Sequence, residues 1–160
     1  MSIAKFRAYP APRSKKRPIK NTFDVTLKPD GTHYERGKHG GIDVPPSSPG
    51  VVGEPVVAVQ EGRVHETGNV WGSAYGKQVL VKHTHKHKDG KRHYWYTFYA
   101  HLKTIKAVPG KVVQPGDVIG TLGVTGSTFG AHVHFEMHTS SSWVNGLQNP
   151  YSRLEAARDA

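Results

Sequence analysis

Gln78-Val79-Leu80-Val81-Lys82-His83, then Asp89-Gly90, then His93-Tyr94-Trp95-Tyr96-Thr97-Phe98-Tyr99-Ala100-His101 decide the fold. Two runs rich in β-branched and aromatic residues flank the dipeptide that tight hairpin turns prefer. The stretch predicts an antiparallel hairpin. With Asp89-Gly90 as a two-residue turn, Lys88 pairs with Lys91 and Gln78 faces His101. That register puts His83, His85 and His87 on one face with Tyr94 and Tyr96. His101 falls on the other, with Trp95, Thr97 and Tyr99. The run His83-Thr84-His85-Lys86-His87 then reads as polar surface near the hairpin tip, not as a metal site.

Outward from the hairpin the chain stays β. Val56-Val57-Ala58-Val59, Arg63-Val64-His65, Asp117-Val118-Ile119-Gly120 and His132 to His138 read as short strands. Pro109-Gly110 and Pro115-Gly116 punctuate them as turns. Only Ser152 to Ala160 has helical character. The fold class expected is all-β: one mostly antiparallel domain with a short C-terminal helix. Its 160 residues suffice for a hydrophobic core. Without cysteine there is no disulfide framework and no thiolate metal site. No apolar run reaches transmembrane length, and the N-terminus lacks the apolar stretch of a secretory signal.

Charge is unevenly placed. The net charge is +10, and residues 1–20 carry seven of the 22 Lys and Arg and none of the 12 acids. With Pro10, Pro12 and Pro18 among them, they read as a basic, flexible N-terminal arm that would attract polyanions. The expected organisation is this arm at 1–20, a β domain at 21–152 and a tail at 153–160. With only Phe6 and Tyr9 among its bases for stacking, the arm is not expected to take nucleic acid as its main partner.

Chemistry concentrates in His39-Gly40-Gly41-Ile42-Asp43 and His132-Val133-His134. A strand's period of two points His132 and His134 the same way, with Val133 and Phe135 opposite. His39 and Asp43, four apart, also share a side, and Gly40-Gly41 disfavours a helix between them. Together the four residues can give one zinc ion two imidazoles and a carboxylate, with an imidazole left over beside it. A catalytic zinc keeps three protein ligands and a water. The pattern is that of a metal-dependent hydrolase.

In order along the chain, five segments resemble the lysostaphin-type zinc metallopeptidases, endopeptidases of bacterial peptidoglycan. They are His39-Gly40-Gly41-Ile42-Asp43, then Pro55 to Val59 with Glu61-Gly62-Arg63-Val64, then Tyr99-Ala100-His101-Leu102. Pro115 to Gly120 follows, and Thr125-Gly126 with His132-Val133-His134-Phe135-Glu136 closes the series. The resemblance spans roughly residues 33 to 151. It implies His39, Asp43 and His134 as ligands of Zn2+, and His101 and His132 as the catalytic histidines. It departs from the family at Ala131, where a proline is usual, and at a bulky Phe129. His33 or Tyr34 would be the upstream residue facing the oxyanion, and Trp71, Tyr75, Phe129 and Trp143 would line the groove.

The implied function is a zinc endopeptidase that cuts stem or cross-bridge peptides of peptidoglycan. Anionic wall polymers would meet the basic arm, and the protein would be a monomer acting in the bacterial cell wall. With no signal peptide, a phage-encoded or otherwise exported protein is expected. Two alternatives compete: a non-catalytic wall-binding or virion structural module on this fold, and a histidine phosphocarrier of related β fold. Neither needs Asp43 together with the His132-Val133-His134 pair.

Overall fold

The computed structural model describes residues 5–19, 40–86, 88–128, 130–143 and 146–158. His33, Tyr34, His39, His87 and Phe129 lie outside them. Among the described residues, nine strands alternate with turns: β1 (Ile42–Val44), β2 (Pro55–Val57), β3 (Gly62–Gly68), β4 (Lys77–Lys86), β5 (Arg92–Ile105), β6 (Val112–Val113), β7 (Val118–Leu122), β8 (Val133–His138) and β9 (Leu147–Gln148). Helix α1 (Tyr151–Ala157) follows, beginning one residue before the stretch expected to be helical. Every pairing is antiparallel, and the main sheet runs β1-β8-β5-β4-β3-β6, with β7 joining β2 to β5. No described helix is long and apolar enough to cross a membrane.

The central hairpin forms, but its register is one residue off the expected one. Lys86 pairs with Arg92 and His83 with Trp95, so a longer connection than a two-residue turn joins β4 to β5. Asp89 still makes the turn, its carboxylate accepting from the Lys91 amide at 2.8 Å. A slip of one residue exchanges the two faces. His83 is therefore not polar surface: it is 1% exposed and stacks on Trp95 at 4.1 Å. Its Nδ1–H donates to Glu61 O, and its Nε2 lies 2.7 Å from Thr97 Oγ1, which meets the Tyr99 hydroxyl.

Burial pushes the His83 pKa down to about 4, against the hydrogen bond to Glu61 that favours its charged form. A folded-state value below the unfolded one means that stability is complete above about pH 6.5. It falls as pH drops towards 4, by on the order of 3 kcal/mol at most. His83→Gln keeps a hydrogen-bonding side chain that does not titrate. Its melting temperature should fall less than that of the parent between pH 7 and 4; superimposable slopes would refute this account.

One face of the sheet builds the main core from Ile42, Val79, Val81, Trp95, Tyr99, Val133 and Phe135. The other carries a smaller cluster, Leu80, Tyr96, Phe98 and Ala100, under Val70, Trp71 and Tyr75. The basic segment expected as a flexible arm packs onto the core face over residues 5–19. Phe6 and Tyr9 are 4% and 1% exposed, and Phe6 lies parallel to Trp95 with ring centres 6.0 Å apart. The Val57 amide donates to Pro10 O, and the amides of Arg7 and Ala8 to Val59 O. Arg158, just past α1, donates to the carbonyls of Lys15 and Arg17, tying the basic segment to the end of the helix. The apolar residues between the basic ones supply the burial, which composition alone conceals.

Candidate active site

The site grows on the sheet face away from the main core, where β1, β8 and β5 lie side by side. Asp43 on β1 pairs with His134 on β8, which pairs with Ala100 on β5. Gly41 allows this closeness, because a Cβ there would collide with Phe135 O. Along β8 the period-two alternation holds: Val133 and Phe135 enter the core, and His132 and His134 point to Asp43. His134 Nδ1 lies 2.9 Å from Asp43 Oδ1, and His132 Nε2 lies 3.4 Å from the same oxygen.

The alternation continues to residues whose part the sequence reading did not see. Glu136 is fully buried, one oxygen 2.6 Å from His134 Nε2 and the other 2.8 Å from His138 Nε2. The Tyr75 hydroxyl donates to Glu136 at 3.2 Å and accepts from Trp143 Nε1 at 2.9 Å. Burial opposes charge on His134, but the hydrogen bonds and charges of Asp43 and Glu136 outweigh it and raise its pKa to about 9. The same period of two that pairs 132 with 134 would have pointed to 136 and 138.

His101 reaches this face through a bulge. Val79 pairs with Tyr99 but Lys77 with Leu102, so Gln78 opposes both Ala100 and His101. His101 itself has φ 61, the left-handed region, and it is the one non-glycine residue there among those described. Such a conformation costs about 1–3 kcal/mol. The extra residue reverses the side-chain order, which corrects the expectation that His101 shares a face with Tyr99. Its ring centre lies 4.9 Å from that of His132 and 6.1 Å from that of His134.

Both outer histidines are held by one nitrogen. His101 Nδ1–H donates to Thr125 O at 2.7 Å, and His132 Nδ1–H to Gly130 O at 2.8 Å. A carbonyl only accepts, so the basic atom left over on His101 is Nε2, while His132 Nε2 faces Asp43 Oδ1 at 3.4 Å. Burial, with the neighbouring charges of His134 and His132, lowers the His101 pKa to about 4. His101 is thus neutral at neutral pH.

Two glycines keep that grip in place. Gly76 and Gly126 both have positive φ, and a Cβ on Gly76 would strike Thr125 while one on Gly126 would strike Ala74 O and Gly76. Gln78, fully buried, holds the same loop by accepting from the Val70 and Trp71 amides and donating to Gly72 O and Gly76 O. Gly76→Ala should cost roughly 1–3 kcal/mol of stability. Displacing Thr125 should also release His101 Nδ1 from its acceptor, which the ring-proton NMR signals of His101 would report. Unchanged His101 signals beside a lowered melting temperature would show that Thr125 does not position His101.

Among the described residues no three His, Asp or Glu side chains are arranged to hold a metal ion. Of the three expected ligands, the structure brings Asp43 and His134 together, and His39 lies outside the described residues. The two suit zinc chemically: one carboxylate oxygen, and one imidazole whose far nitrogen is engaged by a buried carboxylate. That outer bond is the usual support of a metal-binding histidine.

Known proteins share this arrangement of strands. The catalytic domain of lysostaphin from Staphylococcus simulans superposes with a TM-score of 0.69 at 24% identity, over 92% of this chain and 98% of that one. A zinc-containing peptidase from Vibrio cholerae gives 0.62 at 27% identity, over 84% of this chain and 36% of that one. In sequence, the glycyl-glycine endopeptidase ALE-1 of Staphylococcus capitis is 33% identical over 124 residues, 76% of this chain and 30% of that protein. An uncharacterized metalloprotease of Haemophilus influenzae is 29% identical over 145 residues, 89% of this chain and 26% of that protein. The chain thus spans less than a third of the length of these two relatives. Residues 37–146 match the model of peptidase family M23, and the chain belongs to that family, the lysostaphin-type metallopeptidases.

Proposed function

We propose that this protein is a zinc-dependent endopeptidase of the bacterial cell wall that hydrolyses peptide bonds in peptidoglycan stem or cross-bridge peptides. The observation that carries the reading is the convergence of Asp43, His134, His132 and His101 on one sheet face, with a basic Nε2 left on His101. His39, Asp43 and His134 are assigned as the zinc ligands. Bound zinc would supply a water of lowered pKa and polarise the scissile carbonyl. Glu136 fixes the orientation of the His134 ring and keeps its Nδ1 turned towards Asp43. His101 and His132 are assigned the proton work: a neutral Nε2 accepts the proton of the attacking water, and the pair returns one to the leaving amine. The left-handed His101 and the Thr125 carbonyl hold that nitrogen before substrate arrives, so no reorganisation is needed at the moment of reaction. Anionic wall polymers are assigned as the partners drawn by the excess positive charge.

The test is digestion of purified peptidoglycans of several cross-link types, with mass spectrometry of the released peptides. New amino termini that vanish with a chelator are expected, and their identity names the bond. Chelator-resistant release, or no release from any wall type by protein carrying one metal per chain, would overturn the proposal.

A further inference from the structure

At the opposite edge of the sheet, β4, β3 and β6 border an open groove of about 850 Å³ that shares no residue with the site above. Arg7, Arg63, Lys82 and Arg92 line it, against the single acid Glu61. Charge of one sign in a concave surface concentrates field and counter-ions. The groove draws only Arg7 from the basic N-terminal segment; strands β3, β4 and β5 bring the other bases, which the sequence scatters over thirty residues.

The aromatic residues decide between polyanions. A protein that binds single-stranded nucleic acid offers ring faces on which bases stack. Here Tyr94 is exposed, but Lys82 Nζ sits 4.0 Å from its ring centre. Trp95 is 1% exposed, with His83 on it at 4.1 Å and Phe6 parallel at 6.0 Å. The ring faces are occupied; of the cations, Lys82 caps Tyr94 and Arg63 donates to Gly110 O at 2.7 Å, and each keeps further N–H donors for phosphate.

We infer that this groove binds a polyanion of repeating phosphodiesters without bases, a wall polymer of the poly(glycerol phosphate) type, and so seats the enzyme beside its substrate. The inference rests on the cell-wall reading for its choice of polymer. Counter-ion release makes such binding steeply salt-dependent, with roughly 0.7 in log–log slope for each phosphate neutralised on a single chain.

The experiment uses the full chain and purified poly(glycerol phosphate), with affinity followed by fluorescence anisotropy across a salt series. The triple variant Arg7→Gln, Lys82→Gln, Arg92→Gln is compared with Lys16→Gln, Lys103→Gln, Lys106→Gln, which removes as much charge outside the groove. The groove variant should bind at least tenfold more weakly and lose about two units of salt slope, while the control should weaken less than threefold. Equal weakening of both variants would overturn the inference in favour of diffuse charge. Tighter binding of single-stranded DNA, lost in the same groove variant, would overturn it in favour of nucleic acid. Hydrolysis of a soluble cross-bridge peptide should be unchanged in the groove variant. Polymer binding without hydrolysis of any wall would sink the peptidase reading and leave the groove standing.

Discussion

His134→Ala is expected to lose bound metal and hydrolysis together and to melt well below the parent. Its imidazole sits between Asp43 at 2.9 Å and the fully buried Glu136 at 2.6 Å. Removing it deletes an assigned zinc ligand and strips a buried carboxylate of one of its partners. Breaking a buried charged pair typically costs about 3–5 kcal/mol, so lost activity alone would be ambiguous. Asp43→Asn resolves the ambiguity. Asp43 keeps 13% of its side chain exposed, against 6% for His134, and the amide keeps its shape while surrendering the charge that a zinc ligand needs. Metal content below a tenth of an equivalent with a near-parental melting temperature is the expected result for Asp43→Asn. A full equivalent of metal in both variants would place the ligands elsewhere.

What the sequence made legible was what depends on local periodicity. The β class, the pairing of His132 with His134 and the strands around the turns follow from period two and from glycine and proline. Two features escaped because they depend on single-residue shifts. The hairpin closed through a longer connection than Asp89-Gly90 suggested, which moved His83 from surface to core. The bulge at His101 then reversed the face a second time, and no residue type there announces it. Histidine tolerates φ 61 better than a β-branched residue would, but that permits a bulge without predicting one. The basic segment escaped for another reason: its charges dominate its composition, while Phe6, Tyr9 and Ala11 decide where it lies. Glu136 and His138 were within reach of the alternation already applied to 132 and 134. They were passed over because a buried acid between two histidines is visible only once the sheet covers it.

That same bulge sharpens the second large expectation, for His101. His101→Ala should keep its metal and lose turnover by roughly 10²–10⁴, the usual cost of removing a general acid–base group. The position is strained, so alanine also tests the backbone: any L residue other than glycine pays for φ 61. His101→Asn separates the two effects. Asparagine is favoured in the left-handed region and can donate to Thr125 O, yet it has no basic nitrogen. If the chemistry needs Nε2, asparagine will be as inactive as alanine while folding better. If the histidine merely shapes the bulge, asparagine will restore turnover. The pH profile gives an independent reading. Burial and the neighbouring histidines hold His101 neutral down to about pH 4. Turnover should therefore persist below the ordinary histidine value near 6.5 and fall only as His101 gains its proton. In His101→Asn the residual rate should lack that acid limb. An unaltered limb would assign it to another group, with His132 the next to be replaced.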